Sequence, residues 1–132
     1  MIEAIVSAIL VLTLIIMVAA IPNAIKSVKL YKRKDSFKCV LCGNCCRFRQ
    51  TPLDESDIKR LKNEGYADSI IEGKNPRLKR VKGKCIFLNE DKCQIHEIRP
   101  TVCRQFPFFK IYGIGYCQMA SFCPSIDDLK NG

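Results

Sequence analysis

The chain has no tryptophan, a single histidine (His96), and 13 acids set against 22 lysines and arginines. One imidazole excludes a metal site built mainly from histidines. No cysteine occurs before Cys39, so whatever thiol chemistry the protein performs lies downstream of it. Long apolar runs are scarce between Ser36 and Gly132, and a head that small has only a modest hydrophobic core. A staple of metal or disulfide is therefore expected. No internal repeat or low-complexity tract is evident. No strand, glycine-rich loop and helix follow one another as a nucleotide-binding unit would require. Gly113-x-Gly115 lacks that context and reads as a turn.

Charge is also missing from Ala4 to Ile21, 18 residues in which only Ser7 and Thr13 are polar. At 1.5 Å per residue such a helix is ~27 Å long, close to the ~30 Å hydrocarbon core of a bilayer. A cleaved signal peptide would start with cations and end at a small-residue site. This segment starts with Glu3, and Ala19-Ala20 only imitates such a site. A core helix of a soluble protein would carry one polar face, and this stretch is apolar all round. The reading is a transmembrane helix, with the chain divided into an anchor (1–24), a basic neck (25–38) and a cysteine-rich head (39–132).

Orientation follows from the cations after the span. Lys26, Lys29, Lys32, Arg33, Lys34 and Lys38 stand against a single Asp35. Cations flanking a span prefer the cytoplasmic side, which puts the head inside and the N-terminus outside. Cytosolic thiols stay reduced and free to ligate metal. The net charge of +9 gathers in the neck and in residues 74–84, where Lys74, Arg77, Lys79, Arg80, Lys82 and Lys84 meet no acid. Such a run is a solvated face or a contact with anionic lipid, each cation near the surface contributing ~1 kcal/mol. Nucleic acid ranks third, and a protein partner is left open.

What is present from Ser36 to Gly132 is nine cysteines in 97 residues. Thiolates are soft ligands for zinc, copper(I) and iron–sulfur clusters. Cys39, Cys42 and Cys45 repeat at the spacing that wraps a cubane cluster, and zinc would accept the first pair with two later ligands. Adjacent Cys45 and Cys46 should diverge, so one of them serves a second centre, stays a thiol or does redox work. A second group is Cys85, Cys93, His96 and Cys103. A lone histidine is more often a hydrogen-bonding residue than a ligand. Nine thiols and one imidazole suffice for two four-ligand sites, and one site is the safer count. A disulfide framework would need an oxidising compartment and leave one cysteine unpaired. Cys117 and Cys123 also suit buried apolar positions.

Local signals outline the head. Gly43 and Asn44 suit the positive φ of a ligand-wrapping turn. Thr51 as N-cap, Pro52 at the first helical position and Asp54 three residues on predict a helix that stops at Gly65 and buries Leu53, Ile58 and Leu61. A second short helix is expected from Tyr66 to Glu72, ending at Gly73. Arg77 to Ile95 reads as one hairpin turning at Asn89-Glu90-Asp91, with Cys85 and Cys93 close across its base. Pro100 opens a helical turn carrying Cys103, residues 106–112 are extended, Gly113 and Gly115 bend the chain, and a last helical turn surrounds Ile126 to Leu129. Pro22 should end or bend the span, with Ala24 to Lys34 lying on the membrane surface.

The ordered motifs Cys39-x2-Cys42-x2-Cys45-Cys46-Arg47, Cys85-x7-Cys93-x-Ile95-His96-x2-Arg99-Pro100-x2-Cys103-Arg104 and Phe106-Pro107 resemble the CxxCxxCC, or YkgJ-type, cysteine-cluster family of zinc- or iron-chelating proteins. The resemblance covers most of residues 39–124. It implies that Cys39, Cys42, Cys45, Cys46, Cys85, Cys93, Cys103 and a late cysteine are the metal-site residues. The late one is Cys117 or Cys123, and we take Cys123. Where many members carry Tyr, this chain has His96. The membrane span is not part of the family pattern. The family includes flagellin lysine methylase, which implies a methyl-transfer role, but that enzyme is much longer, and the Cys-x3-Cys-x2-Cys of radical enzymes is absent here.

The expected architecture is a small irregular α+β, metal-stapled domain of short helices and a β-hairpin, with one N-terminal transmembrane helix. The expected function is membrane-anchored binding of iron, as a cluster or single ion, or of zinc, with no catalytic residue assigned. The alternatives are a redox or methyl-transfer enzyme acting through the cluster, and a zinc-ribbon-like nucleic-acid binder using residues 74–84.

Overall fold

The computed structural model describes residues Met1–Gly132. It begins with one long helix, α1 (Ile2–Lys32), which runs on through Pro22 instead of ending there. A proline inside a helix lacks the N–H that would bond four residues back, at a cost of ~3 kcal/mol. Tertiary contacts beyond it hold the helix together. The Ser27 hydroxyl donates to the Cys117 carbonyl at 2.7 Å and accepts from the Cys117 N–H at 3.1 Å. Leu30 is buried among Cys117, Cys123, Ile126 and Leu129. The inner face of the segment expected to lie on a membrane is thus occupied by the head, while Lys26, Lys29 and Lys32 stay exposed. Upstream, the apolar half has a mean hydropathy of 3.0 and none of it is buried against the rest of the chain. This helix is long and apolar enough to cross a membrane, and it is no core helix.

The head is α+β. Its helices are α2 (Asn44–Phe48), α3 (Glu55–Asn63), α4 (Thr101–Gln105) and α5 (Pro124–Asn131). Four antiparallel hairpins lie among them: β1 (Ile70–Ile71) with β2 (Arg77–Leu78), β3 (Arg80–Val81) with β4 (Lys84–Cys85), β5 (Leu88–Asn89) with β6 (Lys92–Cys93), and β7 (Phe108–Ile111) with β8 (Ile114–Cys117).

Several local expectations hold and several do not. Gly43 takes φ +71° ahead of α2, but Asn44 is already helical. Helix α3 is capped by Asp54, whose carboxylate accepts the Asp57 N–H at 2.7 Å while Asp57 reciprocates. The cap is therefore three residues later than Thr51. Thr51 and Pro52 are committed elsewhere: the Thr51 carbonyl accepts the Leu78 N–H at 3.0 Å, and Pro52 bridges to Arg77. Leu53 and Leu61 are buried as expected, and Gly65 follows the helix end with φ +86°.

No helix forms over Tyr66–Glu72. A single 3-10 turn (Ala67–Ser69) leads into β1. A segment that short between two glycines cannot repay helix nucleation, and β-branched Ile70 and Ile71 find strand partners instead. The single hairpin expected over Arg77–Ile95 is two. An extra turn at Lys82-Gly83, both at positive φ, splits it, while the turn at Glu90 is where it was expected.

The two hairpins repeat each other with a period of eight residues. Arg80 pairs with Cys85 as Leu88 pairs with Cys93. Ile86 N–H bonds the Lys79 carbonyl as Gln94 N–H bonds the Phe87 carbonyl, and Phe87 and Ile95 are buried in turn. The shared trace in sequence is Lys-Cys followed two residues later by a large apolar side chain.

Gly115 lies inside β8 and makes no bend; the turn belongs to Tyr112-Gly113. A Cβ on Gly115 would overlap the Tyr31 ring of α1. One core cluster gathers Leu53, Leu61, Ile70, Leu78, Phe87 and Ile95, and a second joins α1 to α5 and β8. Only 18 of 132 residues are buried, so the head has little apolar packing to rely on.

Gly115→Ala should therefore push α1 off the hairpin at a cost of about 1–3 kcal/mol. The measurement is a lower Tm in detergent, with part of the loss recovered when Tyr31→Ala is added. An unchanged Tm would show that the helix does not dock there.

Candidate metal centre

Cysteines from three elements meet at one side chain. The Cys46 thiol, on α2, is in hydrogen-bond contact with the sulfurs of Cys45, of Cys85 on β4 and of Cys93 on β6. Those contacts push the Cys46 thiol strongly upward, since losing its proton would place a charge among three sulfurs. The partners move the other way. The bond from Cys46 lowers Cys45 to about 6 and Cys85 and Cys93 to about 7, against burial, which pulls each up. Cys103, on α4, lies nearby and is pushed up to about 12, first by burial and then by the neighbouring Cys45. In a thiolate metal site, cations would take the place of protons shared among sulfurs in this way.

Adjacent Cys45 and Cys46 were expected to diverge, yet hydrogen bonding between their thiols is the largest cause of the shift at each. The repeat of hairpins delivers Cys85 and Cys93 to the same side, as the proximity of their sulfurs shows.

Arginines fix this arrangement. Arg80 reaches from β3 to the Arg47, Arg49 and Gly83 carbonyls, satisfying the end of α2. Arg47 donates to the Cys42 carbonyl (3.2 Å), Asn44 Oδ1 (3.2 Å) and the Glu90 carbonyl (3.1 Å), and pairs with Asp91. It thereby ties the first cysteine loop to the turn that leads into Cys93. Asp57, fully buried, accepts from Arg60 and from both the N–H and the hydroxyl of Thr101, which positions α4 and Cys103. The sequence reading missed all three. Arg80 was lost within a run read as a solvated face or a lipid contact, and Asp57 was not singled out at all.

The other cysteines of the expected set lie in a second group. Exposed Cys39 and half-buried Cys42 occupy the loop before α2, and buried Cys123 precedes α5. Cys123 is pushed up by burial, with Cys42 and Cys39 close enough to add to it. Cys117 lies behind Cys123 and is also raised, chiefly by burial. Cys45 has Cys46 as its hydrogen-bond partner, and Cys39, Cys42, Cys45 and Cys46 all border one cavity. His96 is engaged with neighbours, its Nε2 at 2.5 Å from Arg99 Nη1 and its Nδ1 at 3.8 Å from Glu97.

All nine cysteines are free thiols. No three of the Cys, His, Asp and Glu side chains stand in a metal-holding arrangement as drawn. The donor chemistry nonetheless suits a thiophilic ion, because the Cys46 thiol has Cys45, Cys85 and Cys93 as hydrogen-bond partners. A cavity of about 1010 Å³ opens beside them, bordered by every cysteine except Cys85 and Cys117 and walled by aromatic rings such as Phe106 and Phe122.

Comparison with known proteins points the same way. The model of the CxxCxxCC domain, described as "Putative zinc- or iron-chelating domain", matches residues 38–124. Two uncharacterised proteins of Methanocaldococcus jannaschii are similar. One is 31% identical over 86 residues, covering 55% of this chain and 45% of the relative. The other is 33% identical over 81 residues, covering 55% of this chain and 29% of the relative. The matched region is thus less than half the length of either relative. No solved structure matches.

Cys45 and Cys103 are both half-buried, so their reactivities compare directly. In reduced, metal-free protein near neutral pH, the thiolate fraction decides, and Cys45 should alkylate roughly tenfold faster or more. Mass-spectrometric mapping over time checks this. Equal rates would mean the sulfur contacts at Cys46 are absent.

Proposed function

The chain belongs to the CxxCxxCC family, described as a zinc- or iron-chelating domain, and from that membership we propose that it is a membrane-anchored protein that holds iron or zinc through clustered cysteine thiolates. The observation that carries the reading is the meeting of Cys45, Cys85 and Cys93 at the Cys46 thiol. Sulfurs brought from α2, β4 and β6 into one contact suit a soft cation. Bound there, the metal would join three elements that share few apolar contacts and so contribute folding free energy directly. Its form is an iron–sulfur cluster, a single iron or zinc.

The anchor is residues 1–24, the neck 25–38 and the metal-binding head 39–132. The apolar half of α1 makes no contact with the head, which supports a bilayer as its surroundings. Lys26, Lys29 and Lys32, exposed just beyond it, support cytoplasmic placement of the head and contact with anionic lipid. A second reading, an enzyme acting through the metal on a small molecule, is favoured by the cavity, which is far larger than an ion needs.

Anaerobic purification with metal analysis tests the proposal. Iron with visible absorption that bleaches with dithionite would identify a cluster, and stoichiometric zinc in a colourless protein would remove electron transfer. Cys46→Ser combined with Cys93→Ser should lower metal content by about half or more and destabilise the head. Full loading of that double variant would contradict the assignment. For orientation, a thiol reagent that cannot cross membranes should leave the head unlabelled in intact cells, and labelling would place the head outside.

A further inference from the structure

The cavity beside the cysteines is lined by more than sulfur. Phe37, Phe106, Phe108, Phe109 and Phe122 border it together with Tyr31. All six rings are half-buried, so each packs on one side and keeps apolar surface open on another. Contacts between rings hold several of them in place. Phe108 meets Phe37 and Tyr31 edge to face, at centroid distances of 5.3 and 6.1 Å. Phe106 lies within 10° of parallel to Phe122. Rings already fixed against one another lose little freedom when a flat molecule stacks on them.

The same space has a cationic border. Lys34, Lys92, Arg99, Arg104 and Lys110 line it, against Asp35, Asp91 and Glu97. None of these five cations is in an ion pair, whereas Asp91 is already taken by Arg47, which lies outside the lining. Two of the cations are placed by the fold. Arg104 donates to the Arg99 and Glu97 carbonyls at 3.0 and 3.1 Å, which fixes its guanidinium and leaves Nη1 without a partner. Lys34 Nζ sits 5.3 Å from the centroid of the Tyr31 ring. Lys92 and Lys110 are exposed at the edge. Unpaired cations and uncovered rings thus meet in one concave space of about 1010 Å³, a size that takes a small molecule.

We propose that the cavity binds a small aromatic anion, its flat ring against the phenylalanine wall and its carboxylate or phosphate group among the unpaired lysines and arginines. The two halves of the lining select this class together. A neutral apolar ligand would leave the cations unanswered, and an inorganic anion would leave the rings in water. The inference rests on the small-molecule reading of the cavity given above, and it does not depend on which metal the cysteines hold.

The test is fluorine NMR on the full chain, purified anaerobically in detergent, with empty micelles as the blank. The probes are para-fluorobenzoate, para-fluorophenyl phosphate, para-fluorobenzyl alcohol and trifluoroacetate. At least one aromatic anion should bind with a Kd of about 1 mM or tighter, as expected of a ligand that small. The tighter of the two identifies the anionic group. The neutral ring and the ringless anion should each bind roughly tenfold more weakly or worse. Lys92→Gln with Lys110→Gln should weaken the tighter anion roughly tenfold. Lys74→Gln with Lys79→Gln removes the same charge outside the cavity and should change nothing. All four lysines are exposed, so neither variant disturbs a core. The inference is overturned if the alcohol or trifluoroacetate binds as well as the aromatic anions, or if both double variants weaken binding equally. Failure of either aromatic anion to bind at about 10 mM would overturn it too. Metal content measured on the same samples reports separately on the metal-binding reading.

Discussion

The contact of the Cys46 thiol with three other sulfurs is the constraint on which the head depends. It joins residues that are adjacent in sequence to residues about forty and fifty positions away, and each partner is delivered by backbone that has few other reasons to be where it is. Strands of two residues do not persist alone. What keeps β3–β6 in place is the combination of tight turns, buried Phe87 and Ile95, and the arginines that bind carbonyls on either side. Arg80 and Arg47 act much as short helices would, satisfying backbone oxygens that no regular element reaches. Removing a guanidinium here would leave several carbonyls unpaired at once.

Repetition explains how so short a segment brings two cysteines to the same place. Cys85 and Cys93 are the last residues of equivalent strands in consecutive hairpins. Eight residues make one hairpin and its return, so each repeat restores both the position and the direction of the side chain. The following apolar residue, Phe87 or Ile95, turns inward at the same step. The same short unit therefore supplies one thiol and one core residue. This economy suits a head in which only 18 of the chain's 132 residues are buried. Ordering each backbone residue costs ~1–2 kcal/mol, and on the proposed reading the cation offsets what the small core does not.

How much of this was legible depended on whether the signal was local. Cysteine spacing, the turn at Glu90, the helix from Pro100 and the apolar helix all follow from residues near one another, and the structure contains them. The cap of α3 went to Asp54 because Thr51 was needed to accept Leu78 N–H, a partner 27 residues away. Tyr66–Glu72 had helix-like length but strand-forming isoleucines, and the strand partner at Arg77–Leu78 decided the matter. The period of eight escaped notice because the two hairpins share only Lys-Cys and an apolar position. The position of Cys45 was illegible for a different reason. The motif Cys39-x2-Cys42-x2-Cys45 reads as one wrap, and only the fold shows helix α2 starting between Cys42 and Cys45, which puts Cys45 on the helix beside Cys46.

The helix that carries the head is also part of it. A flexible neck would let the cysteine domain tumble beneath a membrane, but Ser27, Leu30 and Tyr31 are fitted to β8 and α5, with Gly115 left bare to admit the tyrosine ring. Tyr31, Lys34 and Phe37 then continue into the wall of the cavity. From Ile21 to Tyr31 a helix rises ~15 Å, so on the proposed span the cavity wall begins about two headgroup layers below the hydrocarbon. Pro22 falls between the uncovered apolar half and the docked half, where the helix has no neighbour to compensate its missing hydrogen bond. The continuity of α1 across that position ties the cysteine loops to the orientation of the anchor. On the proposed span, the thiols would thus be presented at a fixed height and angle rather than at the end of a tether.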